Sequence, residues 1–81
     1  MTWDYGKLTA EVDMSGKSRF FFHFKGSEEL HKNRDFIEVM NSLGSQGWEC
    51  FQVFEFRDMK DDEEFPGIRS IREAFFRRVS D

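Results

Sequence analysis

The chain is poor in several residue types at once. Its 81 residues include one proline, one cysteine and three leucines. A lone cysteine, Cys50, excludes an internal disulfide and points to a reducing, cytoplasmic setting. No run of apolar residues exceeds three, as at Phe20–Phe22, far below the ~20 needed to span a membrane. Met1–Tyr5 lacks a basic segment followed by an apolar one, so no secretory leader is expected. Acidic residues outnumber basic ones, sixteen to twelve. The net charge is -4, which argues against direct binding of nucleic acid, since neutralising phosphates takes a basic surface.

What the chain has in excess is phenylalanine, eleven residues against four valines and three isoleucines. Disordered chains are poor in aromatics, so a folded domain is expected, a single one over residues 1–81. A domain this small buries only roughly 60% of its unfolded surface. Phenylalanine offsets that by burying ~150–250 Å² per side chain.

Alternation marks the strands. Trp3 to Val12 reads as a first strand, with Trp3, Tyr5, Lys7 and Thr9 on one side and Gly6, Leu8, Ala10 and Val12 on the other. Asp13–Ser18 has turn composition. Arg19 to Lys25 reads as a second strand, with Phe20, Phe22 and Phe24 on one face and Phe21 on the other. Ser27 has the chemistry of a helix N-cap, with Glu28 and Glu29 after it. Leu30, Phe36, Ile37, Met40 and Leu43 form a helical stripe, which predicts a helix over about 28–43 ending at Gly44. Trp48 to Arg57 reads as a third strand with apolar groups on both faces. Residues 58–68 read as an acidic loop closed by Pro66–Gly67, and Ile71 or Glu73 to Val79 as the last strand.

The order β-β-α-β-β predicts an α+β fold, a small antiparallel sheet with one helix packed on one face. One helix covers one face. The other would keep Phe21 and one face of the third strand, more apolar surface than a monomer usually exposes. Phe21, Phe54 and Phe56 are therefore expected at an interface, most simply that of a homodimer or larger homo-oligomer.

Met40–Val53, reading MNSLGSQGWECFQV, resembles the LNxLGxxGWExV core of a small bacterial and phage family, domain of unknown function 4177. Trp3-Asp4-Tyr5 with Lys7 is similar to that family's opening WEYK, with Gly6 inserted, and Phe75–Arg78 to its closing FKR. The resemblance covers about half of the chain. It implies a small cytoplasmic protein of this fold and no particular activity. This chain departs from the pattern by its Phe-rich second strand and its acidic segment.

Sites for chemistry are scarce. Gly16-Lys17-Ser18 lacks the first glycine and the following helix of a phosphate-binding loop. Cys50, His23 and His31 have neither the paired spacing of a zinc site nor an evident catalytic partner. The acids among residues 58–64 lack the alternation of a calcium loop. No enzyme, cofactor or metal is expected. Four of the twelve basic residues are arginines after position 68, and arginine forks bind carboxylate and phosphate. Trp48, Arg57, Arg77 and Arg78 are thus candidates for holding a small anionic, nucleotide-like ligand. The expected function is a non-enzymatic binding module, homo-oligomeric and phage-encoded if it follows the family, that captures a protein or such a ligand. The alternative is an acidic protein that blocks a partner's nucleic-acid-binding surface with its Asp/Glu segment.

Overall fold

The structure, a computed structural model, describes residues 2–31, 34–57 and 67–80. Five strands and one helix follow in the order β1 (Trp3–Asp13), β2 (Ser18–Phe24), β3 (Ser27–His31), α1 (Phe36–Ser45), β4 (Glu49–Arg57) and β5 (Ile68–Val79). All neighbouring strands are antiparallel, in the sheet order β3-β2-β1-β5-β4. The class is α+β, as expected. The order is not: a strand, Ser27–His31, stands where the first turn of the helix was predicted, giving β-β-β-α-β-β.

The reason lies in two short signals. Lys25 and Gly26 both have positive φ, 48° and 76°, the conformation that closes a two-residue hairpin with the twist of the flanking strands. The chain therefore folds back at once, and Ser27–His31 pairs with Phe20–Phe24. Ser27 opens a strand rather than capping a helix, and its hydroxyl donates to the Phe24 carbonyl at 2.6 Å. The helix instead starts at a capping box. The Asp35 side chain accepts from the Glu38 amide at 2.7 Å, and the Glu38 side chain accepts from the Asp35 amide at 3.2 Å.

The helix runs one residue past Gly44 and ends in a Schellman turn. Gly47, at φ +90°, donates to the Gly44 carbonyl at 3.0 Å, and Trp48 donates to the Leu43 carbonyl at 3.1 Å. Trp48 thereby drops onto the core beside Leu43. The β1–β2 turn is held by Asp13, whose carboxylate accepts from the Ser15 hydroxyl at 2.5 Å and from the Ser15 and Lys17 amides at 2.9 and 3.0 Å. The Ser15 hydroxyl, first among these donors, lowers the Asp13 pKa below its ordinary value.

The core lies between α1 and one face of the sheet. Val39 and Leu43 of α1 meet Leu8 and Ala10 of β1, Phe20 and Phe22 of β2, and Ala74 and Phe76 of β5. Side chains of this kind contribute ~1.5–3 kcal/mol each when fully buried. Gly6 has a packing reason in the opening strand. A Cβ there would stand 2.5 Å from the Phe22 ring, which packs edge-on against both Trp48 and Phe76. Glycine at this place lets the ring lie against the backbone.

Two stability predictions follow from this packing. Gly6→Ala should destabilise by about 1–3 kcal/mol through overpacking. Asp35→Ala should cost about 1 kcal/mol by removing the cap. Urea denaturation monitored by circular dichroism measures both. An unchanged Gly6→Ala midpoint would show that the Phe22 ring moves aside freely.

Candidate functional site: the open face of the sheet

The face of the sheet away from α1 is built row by row from the strand register. Leu30, Phe21, Thr9, Glu73 and Phe54 stand side by side across all five strands. The next row is Glu28, His23, Lys7, Phe75 and Gln52. Beyond it Tyr5 pairs with Arg77, and Arg77 with Glu49; Trp3 pairs with Val79. In the other direction Glu11 pairs with Ile71 and Ile71 with Phe56. Ile71, unlike the aromatics of this face, is buried.

A β-bulge decides how apolar this face is. Strict alternation would put Phe51 and Phe54 on opposite sides of β4. The register slips between Cys50 and Gln52, so that Cys50 pairs with Phe76 and Gln52 with the adjacent Phe75. Phe51 is the residue left over, and its ring meets Tyr5 edge-on at 6.1 Å on the open side. Phe54, two residues after Gln52, meets Phe75 edge-on at 5.8 Å. The open face thus gains one phenylalanine more than the sequence pattern grants it. Val53 and Glu55 point to the helix side, where Glu55 meets Arg72 at 3.2 Å.

These side chains are well exposed. Tyr5 is 62% accessible, Phe51 46%, Phe54 48% and Phe56 47%. Charged groups lie between them in pairs: Lys7 with Glu73 at 3.2 Å, Arg19 with Glu11 at 3.3 Å, His23 with Glu28 at 3.5 Å, and Arg77 with Glu49 at 3.6 Å. The Arg77 guanidinium also lies over the Trp3 ring at 4.7 Å and the Phe51 ring at 5.7 Å. That stacking holds the aromatic group together at one end of the face.

The structure divides the residues singled out in the sequence. Phe21, Phe54 and Phe56, expected at an interface, share the open face, and Arg77 stands there with them. Trp48 and Arg78 lie on the helix side. Trp48 is 5% accessible and packs against Phe22 and Phe24. Arg78 covers it, 4.3 Å above the Trp48 ring and 5.1 Å above that of Phe24. It is held there by Asp4 at 3.9 Å and by the Gln46 carbonyl at 3.4 Å. Consecutive residues of a strand point to opposite faces, so Arg77 and Arg78 cannot converge on one ligand. Arg57 ends β4 opposite Ser70; its side chain, like the acidic segment 58–64, lies outside the described residues.

The sequence reading did not single out Trp3, Tyr5 or Phe75 as site residues. The signal was present in the alternation of the first strand, which placed Trp3 and Tyr5 together. Cys50 is half-buried, its thiol 3.8 Å from the Gln52 carbonyl. His31 is buried, with Nε2 3.1 Å from a Glu29 oxygen yet not in hydrogen-bonding geometry. Among the described residues no group of three or more His, Cys, Asp and Glu side chains is placed to hold a metal ion. None of their helices is long and apolar enough to cross a membrane.

No protein-family model, curated protein or solved structure matches the chain.

The two neighbouring arginines should separate in experiment. Arg78→Ala uncovers a buried tryptophan and should lower stability by about 1–2 kcal/mol, with Trp48 becoming accessible to acrylamide quenching. Arg77→Ala should cost under about 1 kcal/mol and leave Trp48 protected. Equal effects in urea denaturation would contradict the division of the two faces.

Proposed function

We propose that the chain is a non-enzymatic interaction module with the open face of the sheet as its recognition surface, covered in a homo-oligomer or by a captured partner. One observation carries this reading: a band of aromatic side chains, each about half exposed, on a face that no described element covers. Folded monomers seldom expose contiguous apolar surface of this extent without using it. The paired charges between the rings suit an apolar protein surface better than a small anionic ligand, because Lys7, Arg19 and Arg77 already have carboxylate partners. Membership of the family called domain of unknown function 4177 belongs to the same proposal. It rests on Met40–Val53, which here folds as the helix end, the Schellman turn and the start of β4.

Native mass spectrometry of the chain purified gently from its own host tests the reading. The expected spectrum shows more than one copy, or one copy with a discrete added mass. Tyr5→Lys, on the open face, should abolish it while leaving the circular dichroism unchanged. A bare monomer, or an assembly indifferent to Tyr5→Lys, would overturn the proposal.

A further inference from the structure

We infer that the open face is covered by a second copy of the same chain, packed face to face, so that two five-stranded sheets form a sandwich with a helix on each outer side. The inference rests on the reading of that face as a recognition surface and names its occupant. Area is the first argument. Trp3, Tyr5, Leu30, Phe51, Phe54 and Phe56 are between 38% and 62% exposed. At ~150–250 Å² for a fully exposed aromatic, they leave on the order of 600 Å² of apolar surface on this face. The stems of Lys7 and Arg77 add to it. The total approaches the ~800 Å² per partner of a standard stable interface.

Charge is the second argument. The chain as a whole is acidic, at -4. Its open face is not: Lys7, Arg19 and Arg77 are matched within the same copy by Glu73, Glu11 and Glu49, and His23 stands beside Glu28. Among the described residues, these pairs leave a strongly basic or strongly acidic partner little unmatched charge to neutralise there. A surface equally apolar and internally balanced fits, and an identical face meets both conditions. Sheets pack at ~10 Å with strands within about 30° of parallel, which lets rings of one face settle between those of the other. A two-fold axis closes such a contact without leaving a sticky end.

Sedimentation equilibrium of the recombinant chain alone, over a range of concentrations, tests this. The chain should sediment as a dimer, and raising salt from about 50 to about 500 mM should not dissociate it, since apolar contact is not screened. Tyr5→Lys and Phe54→Lys should each weaken dimerisation by about tenfold or more. Ile37→Lys, on the outward side of α1, should leave it intact. Circular dichroism confirms that each variant is folded. The wild-type concentration dependence does not rely on any variant.

Three results would overturn the inference. One is a monomer at every concentration. Another is a dimer that survives Tyr5→Lys, because Tyr5 stands on the central strand and joining of β4 edges would spare it. The third is a dimer that salt dissociates. If the chain alone is monomeric while host-purified protein carries an added mass lost on Tyr5→Lys, the second copy is wrong and the recognition face stands. If both preparations are bare monomers, both readings fail.

Discussion

One ten-residue helix has to cover a five-stranded sheet. At 1.5 Å per residue it is ~15 Å long, and five strands at ~4.8 Å spacing are ~19 Å wide. It covers the middle of one face and nothing of the other. Its two buried residues, Val39 and Leu43, are the points on which the helix-side core closes, with Leu8, Phe22 and Phe76 beneath them. Everything else in the structure answers to that limited cover. Arg78 and Trp48 seal the core where the helix ends. The opposite face keeps its aromatics in solvent.

Phenylalanine serves both faces for different reasons. On the helix side, Phe22 and Phe76 supply large buried area in a domain with few aliphatic side chains. Gly6 is the local concession that makes room for Phe22. On the open side, Phe51, Phe54 and Phe75 form edge-on contacts with each other or with Tyr5, and the charged pairs fill the spaces between. A face built this way sets its rings against one another within the single chain. A surface that needs no rearrangement on contact loses less entropy when it meets a partner.

Some of the architecture was legible in the residues. Period-two alternation in Trp3–Val12 and Arg19–Lys25, with Asp13–Ser18 between, marks the first hairpin to within a residue or so of its observed ends. The doubly apolar third strand announces an uncovered sheet face. The helix is half legible: the stripe from Phe36 to Leu43 marks its body, while Ser27 competes with the box formed by Asp35 and Glu38 as its start. Ser27 carries the right side chain for a cap, but a two-residue turn just before it returns the chain to the sheet. Local capping preference is worth ~1 kcal/mol and yields to a ladder of strand hydrogen bonds.

Residue pattern alone sets the class, the strand faces of the first hairpin and the excess of phenylalanine, because side-chain alternation follows the backbone period of two. Tertiary structure decided the rest. The order β3-β2-β1-β5-β4 placed β1 and β5 at the centre and left β4 on the edge, a matter of long-range pairing that no local pattern encodes. The bulge at Phe51 moved a ring across β4, since one extra residue inverts the alternation before it. Strand pairing also settled that Arg77 belongs to the open aromatic face and Arg78 to the sealed core. Adjacent in sequence and identical in chemistry, the two differ only in which side of β5 the sheet turned toward the helix.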